Sequence, residues 1–176
     1  MNVFILSTGR CGSMTFSKAS QHISNYSSGH ETRLPLIGHE RLAYPENHIE
    51  SDNRLCWILG RLDNVYGDNA IYVHLTRNKQ EVAESYARRH DFGIMKAYRE
   101  GILLGGDPSV SDLDVALDYI ETVESNIILF LNNKSRILNF KLESAKQDFK
   151  FFWDYIGAEG DYDSAVNEWD ISHNRS

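Results

Sequence analysis

The chain has 176 residues, 41% of them hydrophobic and only three of them proline, which fits one globular domain spanning residues 1–176. Its formal net charge of −7 argues against a nucleic-acid-binding protein. Two cysteines, Cys11 and Cys56, are too few for a disulfide framework or a Cys-x-x-Cys metal site. No basic leader precedes the first apolar run and no apolar segment is long enough to cross a bilayer, so we expect a cytoplasmic protein. Nothing in the sequence supports an oligomer or excludes one.

The first predicted element is a buried strand at Val3-Phe4-Ile5-Leu6, and a glycine-containing loop follows it, Ser7-Thr8-Gly9-Arg10-Cys11-Gly12-Ser13-Met14-Thr15. After the loop, apolar residues recur at the spacing of one helix face. A strand, a glycine loop and a helix start bring backbone N–H groups together around a phosphate-sized anion, and Arg10 adds positive charge. No Gly-Lys-Ser/Thr occurs, so the loop is not a Walker A site. A plain tight turn is the alternative.

Further along the chain, Leu55–Leu59 with Leu62 and Val65 predicts a buried helix, and residues 70–77 predict a second buried strand that ends on Arg77. Asn78 is placed to cap the helix that follows, with Glu81 in capping-box position. An arginine at the carboxyl end of a parallel strand lies where open α/β sheets bind their ligands.

The last third of the chain predicts more helices and one more strand. A helix is expected from Asp112 to Asn132 with Ser111 as its cap, a strand over Arg136–Phe140, and a helix from Leu142 to Ile156 that ends at Gly157. Buried strands that alternate with helices indicate a three-layer α/β domain of the P-loop type, with a mostly parallel central sheet flanked by helices.

Two motifs in this framework carry a family resemblance. Arg10-Cys11-Gly12-Ser13-Met14 resembles the 5′-phosphosulfate loop of sulfotransferases, commonly Arg/Lys-Ser-Gly-Thr/Ser-Thr. Leu75-Thr76-Arg77-Asn78, with Ser85 eight residues after the arginine, resembles their 3′-phosphate motif. The chain departs from the family pattern at Cys11, where serine is usual, and at Lys79, where proline is common.

In that family the two motifs hold the two phosphate ends of 3′-phosphoadenosine 5′-phosphosulfate (PAPS). The resemblance implies PAPS as co-substrate and in-line transfer of a sulfuryl group to an acceptor hydroxyl or, less favourably, an amine. It implies no metal, because a sulfuryl group carries less charge than a γ-phosphoryl group. The residues that it assigns to PAPS are Arg10, Cys11, Gly12, Ser13, Met14, Thr15, Arg77 and Ser85. The resemblance also implies a catalytic role for Arg10, namely to stabilise the charge that grows on the bridging oxygen.

A third segment contains the candidate base. Gly29-His30-Glu31-Thr32-Arg33 resembles the Gly-Glu-Glu-Thr-Arg stretch of protein-tyrosine sulfotransferases, whose glutamate before Thr-Arg is the catalytic base. The resemblance implies that Glu31 takes the acceptor proton and that Arg33 orients Glu31 or the acceptor. Because cytosolic sulfotransferases use histidine, His30 and His39 stay as alternatives, together with Glu40. A surface carboxylate paired with Arg33 is the non-catalytic interpretation.

The remaining charged and aromatic residues have simpler interpretations beside functional ones. Arg54 stands roughly where some sulfotransferases place a sulfate-contacting lysine, but a surface salt bridge is the commoner arrangement. A basic run, Arg88, Arg89, Lys96 and Arg99, indicates a solvated helix face or the rim of an acceptor site. Core packing is expected for Trp57, Phe152 and Trp153, and the place of Trp169 stays open. The terminal His173-Asn174-Arg175 is either a frayed tail or a segment folded over the nucleotide.

Two other functions remain open from the sequence. One is a P-loop kinase or nucleotide hydrolase with a degenerate loop, against which the missing Lys-Ser/Thr pair argues. The other is a non-catalytic nucleotide-binding module. The acceptor also stays open, because a small molecule, a sugar, a lipid or a peptide leaves no signature in these residues.

Overall fold

Five parallel strands form the centre of the fold in the order β2-β3-β1-β4-β5. The computed structural model describes residues 1–171, and the structural statements that follow concern these residues. The apolar runs at β1 and β4 lie at inner positions of the sheet, where both faces of a parallel strand are covered. The strands are β1 (Asn2–Leu6), β2 (Ser27–His30), β3 (His48–Ser51), β4 (Ala70–Thr76) and β5 (Ile137–Lys141).

Helices cover both faces of the sheet, which completes the predicted three-layer α/β architecture. Because paired residues of parallel strands share a face, Tyr72 lies with Ile137 and opposite Phe140. The Tyr72 ring contacts Phe130 of α5, whereas Phe140 contacts Phe16 of α1. The helices are α1 (Ser13–Ser20), α2 (Leu59–Tyr66), α3 (Lys79–Ala87), α4 (Gly93–Ala97), α5 (Asp112–Leu131), α6 (Ala145–Ile156) and α7 (Tyr162–Asn167).

Short single turns connect several of these elements. They are 3₁₀ turns at Gly38–Leu42, Asn53–Trp57, Leu142–Ser144 and Glu168–Asp170, and a π turn at Tyr98–Ile102.

Several sequence predictions are confirmed at the level of single residues. The Ser111 hydroxyl accepts a hydrogen bond from the Asp114 amide over 3.1 Å and caps α5. Gly157 ends α6 in the left-handed conformation, with φ of 62°. Phe152 and Trp153 lie in the core, and Trp57 packs against it through Tyr98 and Tyr119.

Other predictions need correction. The helix expected across residues 55–65 is a 3₁₀ turn at Asn53–Trp57 followed by α2, and Val65 is 53% exposed. A 3₁₀ turn at Leu142–Ser144 precedes α6, which therefore begins three residues later than expected. Neither β2 nor β3 was expected, because their sequences, Ser-Ser-Gly-His and His-Ile-Glu-Ser, are polar.

Within residues 1–171, no helix combines the length and the apolar character that crossing a membrane requires. The terminal His173-Asn174-Arg175, considered above as a cover for the nucleotide, lies outside the described residues.

Candidate functional site

A cleft of about 780 Å³ opens at the carboxyl edge of the sheet, where β1, β2 and β4 end. Parallel strands bring their carboxyl ends to one edge, so loops that are distant in sequence meet there. The cleft is lined by residues of both motifs and of the segments around them: Gly9, Arg10, Gly12, Ser13, Met14, Thr15, His30, Glu31, Asn53, Arg54, Arg77, Glu81, Ser85, Tyr86, Arg88, Arg89 and Trp169, among others.

The hydroxyl groups of two tyrosines fix the loop after β1 in place. The Thr8 carbonyl accepts hydrogen bonds from the Tyr86 hydroxyl of α3 (2.6 Å) and the Tyr119 hydroxyl of α5 (2.9 Å). Gly9 follows with φ of 87°, and a Cβ atom there would lie 2.2 Å from the Tyr86 oxygen. Glycine is therefore required at position 9 by both backbone conformation and close packing.

The loop ends where α1 begins. Gly12 is the N-cap residue of α1, with φ of 91°. The N–H groups of the first helical turn, beginning with Ser13, Met14 and Thr15, have no acceptors within the helix, and the positive end of the helix dipole adds to them. Since these three residues line the cleft, they form a place for an anion.

The side chain of Cys11 points into the protein rather than into the cleft. Its thiol contacts the Thr8 hydroxyl at 3.3 Å and donates to the Gly9 carbonyl at 3.1 Å. Burial raises the pKa of this thiol to about 12, because a thiolate would lose its hydration. Any contribution of Cys11 to ligand binding therefore comes from its backbone.

The two predicted phosphate motifs meet in this cleft. Arg10 Nε donates to the Ser85 hydroxyl on α3 over 2.9 Å. Arg77, at the end of β4, donates from Nη1 to the Arg10 carbonyl over 3.3 Å. The side chain of Arg10 thus leaves the glycine loop towards α3, and both arginines belong to one cluster.

This cluster concentrates positive charge. Burial lowers the pKa of Arg10, and the neighbouring charges of Arg89, Arg77 and Arg88 lower it further. Like charges in a partly buried cleft are unfavourable unless an anion joins them. Arg88 and Arg89 therefore belong with the site, although the sequence favoured a solvated face or an acceptor rim for them. They follow Ser85 by three and four residues, a helical spacing that could have placed them beside it.

The beginning of α3 differs in one detail from the expected capping box. The Asn78 side chain accepts from the Glu81 amide over 3.1 Å, as predicted. The Glu81 side chain, however, pairs with Arg77, with its Oε2 3.0 Å from Arg77 Nε, and the Asn78 amide donates to Glu143 instead. An acidic group consequently stands next to Arg77 at the edge of the cleft.

The candidate base lies on the other side of the loop. Glu31 follows β2 directly and has φ of 54°, a backbone conformation that non-glycine residues rarely adopt. Its Oε1 accepts from Arg54 Nη1 over 2.8 Å in a partly buried ion pair. His30 contacts the Ser13 hydroxyl through Nε2 at 3.2 Å. Glu31, His30 and Arg54 all line the cleft.

The structure does not bring Arg33, His39 or Glu40 to the cleft. Arg33 Nη1 donates to the Glu40 carbonyl over 2.7 Å, and its guanidinium lies 5.4 Å from the centre of the Tyr44 ring. The side chains of His39 and Glu40 are 85% and 72% exposed. Arg33 therefore contacts Glu40 and Tyr44 and makes no described hydrogen bond to Glu31, so the expectation that it orients Glu31 is corrected.

A comparison with solved structures identifies the fold. The sulfotransferase domain from the curacin biosynthetic pathway matches with a TM-score of 0.67 at 17% sequence identity, over 92% of this chain and 75% of that chain. The chain has the fold of a sulfotransferase domain. No protein-family model matches its sequence, and no curated protein matches it.

On this sulfotransferase-like fold, the cleft also contains Asn53, which the sequence did not single out and which donates to the Thr8 carbonyl at 3.5 Å. Trp169, whose place the sequence left open, packs against Phe16, Phe140 and Phe149 while it lines the cleft. Among residues 1–171, no group of three His, Cys, Asp or Glu side chains is arranged to hold a metal ion.

Proposed function

We propose that this protein is a sulfotransferase that binds PAPS in the cleft and transfers its sulfuryl group to an acceptor hydroxyl or amine. The observation that carries the proposal is the meeting of the two phosphate motifs, with Arg10 Nε 2.9 Å from the Ser85 hydroxyl. The sulfotransferase-like fold supports it independently, because the likeness lies in the backbone and not in these residues.

The residues of the cleft fit a nucleotide with anionic groups at two ends. A volume of about 780 Å³ lies within the range of small-molecule sites. The pKa of Arg10 is lowered by the charges of Arg77, Arg88 and Arg89, which indicates that these cations lie close together. A bound phosphate group would stabilise them. PAPS, when bound, supplies an activated sulfuryl group on its 5′-phosphate.

Each end of the nucleotide has its own set of groups in this proposal. The amides from Gly12 to Thr15 hold the 5′-phosphosulfate at the start of α1, where charge develops as the bond to sulfur breaks. Arg77 and Ser85 hold the 3′-phosphate. The Arg10 backbone belongs to the loop, and its guanidinium contacts Ser85 on α3. Arg10 therefore connects the groups that hold the two ends of the nucleotide.

Glu31 is the proposed general base. A hydroxyl becomes an effective nucleophile when a positioned group accepts its proton during bond formation. The Arg54 guanidinium, 2.8 Å from Glu31 Oε1, orients this carboxylate and adds positive charge where the sulfuryl group is transferred. His30, which contacts Ser13 in the loop, is the alternative base within the cleft. His39 and Glu40 are exposed outside the cleft, so we propose Glu31 and His30 ahead of them.

A ligand series tests this proposal. Adenosine 3′,5′-bisphosphate, the product left from PAPS, should stabilise the protein by about 2.7 kcal/mol at 100 times its Kd, measured as a thermal shift. ADP, which lacks the 3′-phosphate, should stabilise it much less. A larger shift with ATP–Mg²⁺ would contradict the proposal and support the kinase or hydrolase. Turnover is then measured with ³⁵S-labelled PAPS against a library of hydroxyl and amine acceptors, and binding without turnover would support a nucleotide-binding module.

A further inference from the structure

Two buried carboxylates lie near the carboxyl end of β3: Glu50 within the strand and Asp52 directly after it. Both residues are 0% exposed. Their hydrogen bonds reach the segments that contain Glu31 and Arg54. Burial of a carboxylate costs free energy unless hydrogen bonds replace its hydration. The donors around Glu50 and Asp52 therefore identify the segments that each carboxylate stabilises.

The Glu50 carboxylate holds the residue that follows Glu31. Its Oε1 accepts from the Thr32 amide over 2.7 Å, and its Oε2 accepts from the Thr32 hydroxyl, also over 2.7 Å. The third contact is to His48 Nε2 at 2.8 Å, and the other ring nitrogen of His48 contacts the Ser27 hydroxyl at 2.8 Å. Two of the three contacts of Glu50 are therefore with groups of Thr32.

Glu31 is thereby fixed from both sides. Its own amide donates to the Ser51 carbonyl over 3.1 Å, which continues the pairing of β2 with β3. On its other side, Glu50 holds Thr32. Between these two anchors Glu31 adopts φ of 54°, a strained conformation that persists only where the surroundings impose it. This conformation directs the Glu31 side chain towards Arg54 and the cleft.

The Asp52 carboxylate holds the other member of the pair. Its Oδ1 accepts from the Arg54 amide over 2.8 Å, and its Oδ2 accepts from Arg41 Nη2 over 2.5 Å. Asp52 is the N-cap residue of the 3₁₀ turn at Asn53–Trp57. Its carboxylate therefore fixes the backbone position from which the Arg54 side chain extends.

We propose that Glu50 is a positioning residue for Glu31, and that Asp52 positions Arg54 in the same way. The catalytic part of this inference rests on the proposed function, because it needs Glu31 to be the base. Glu50 acts through the backbone of Thr32: it imposes the left-handed conformation at Glu31 and keeps its carboxylate within reach of an acceptor.

The kinetic test uses Glu50→Gln, which keeps the size of the side chain but gives it an amide that cannot accept all three hydrogen bonds. We expect kcat to fall about 10- to 100-fold, as a small misplacement of a reacting group does, with Kd for adenosine 3′,5′-bisphosphate unchanged within about twofold. In a Glu31→Gln background the same substitution should have little further effect. Equal effects in the two backgrounds would overturn the proposal, since they would show a structural role only.

A second variant keeps the inference testable if Glu50→Gln does not fold. Thr32→Val removes only the hydroxyl contact with Glu50 and keeps the shape of the side chain and its amide. It should lower kcat in the same direction and by a smaller factor. The proposal would be contradicted if folded Thr32→Val kept the wild-type kcat and if Glu50→Gln, where it folds, kept it as well.

A readout without turnover separates this inference from the proposed function. The guanidinium ¹⁵N–¹H signals of Arg54, assigned by their loss in Arg54→Lys, report the contact with Glu31. Glu31→Gln should shift them, and Glu50→Gln should shift them in the same direction. Unchanged Arg54 signals in Glu50→Gln would overturn the positioning role. Failure of wild-type protein to bind adenosine 3′,5′-bisphosphate would overturn the proposed function and leave this result standing.

Discussion

Arg10 and Ser85 are 75 residues apart in the chain and joined by a hydrogen bond of 2.9 Å from Arg10 Nε to the Ser85 hydroxyl. This contact links the glycine loop after β1 to the last turn of α3. Arg77 adds a second link through the Arg10 carbonyl. Arg10, Ser85 and Arg77 therefore form one connected group in the cleft, and we expect the loss of any one of them to disturb the other two.

Arg77→Ala should weaken the binding of adenosine 3′,5′-bisphosphate by about 2–3 kcal/mol, the size of a charge-assisted contact. Isothermal titration calorimetry measures this change directly. Arg61→Ala is the matched control, because Arg61 bonds the Gly38 carbonyl outside the cleft. An equal loss of affinity in both variants would mean that net charge, and not the 3′-phosphate contact, determines binding.

Glu31→Gln should lower kcat by roughly 10²–10⁴-fold, the range for removal of a general base, with the affinity for the nucleotide retained. Steady-state rates with labelled PAPS and an accepted hydroxyl substrate give the result. Glu40→Gln serves as control, since that side chain is 72% exposed and lies outside the cleft. Activity that survives Glu31→Gln but not His30→Gln would move the role of base to His30.

Gly9→Ala should destabilise the protein by more than the cost of a left-handed alanine alone, which is about 1–2 kcal/mol. The added Cβ would lie 2.2 Å from the Tyr86 oxygen and 2.7 Å from Asn53 Nδ2. Gly38→Ala isolates the conformational cost, because Gly38 has φ of 59° and a methyl group added there would meet no atom within 4 Å. Urea unfolding compares the two, and equal midpoints would show that the loop moves freely away from Tyr86.

Cys11 and Cys56 should resist alkylation by iodoacetamide at pH 8 in the folded protein. Burial raises the pKa of Cys11 to about 12 and raises that of Cys56 as well. Since the thiolate is the reactive form, and a raised pKa moves ionisation to higher pH, both thiols should stay protonated and unreactive at pH 8. Mass spectrometry should find both thiols unlabelled until urea unfolds the chain. Rapid labelling of native Cys11 would show an ionised thiol in the loop.

The central part of the fold could be predicted from sequence because its elements have clear patterns. Apolar runs mark β1 and β4, and the caps Ser111 and Asn78 mark the starts of α5 and α3. The neighbouring strands β2 and β3 have no such pattern, because their sequences are polar. In β3 the buried His48 and Glu50 bond each other, and this pairing exists only once the chain has folded.

The candidate site shows the same division. Both motifs were predicted to lie at the carboxyl edge of the sheet, and their residues do line one cleft there. The direction of the Arg10 side chain was not predicted, and Arg33 instead of Arg54 was expected to orient Glu31, since the observed contacts depend on residues from distant segments, Ser85 and Arg54. Arg33 is only two residues from Glu31 in sequence, but its guanidinium donates to the Glu40 carbonyl instead.

The two tyrosine hydroxyls on the Thr8 carbonyl have a consequence for the kinetics of ligand capture. Because α3 and α5 already hold the loop in place, no slow folding of this segment has to precede or follow the arrival of a nucleotide. Association should then follow a single exponential whose rate rises linearly with nucleotide concentration, without the plateau that an isomerising loop would impose.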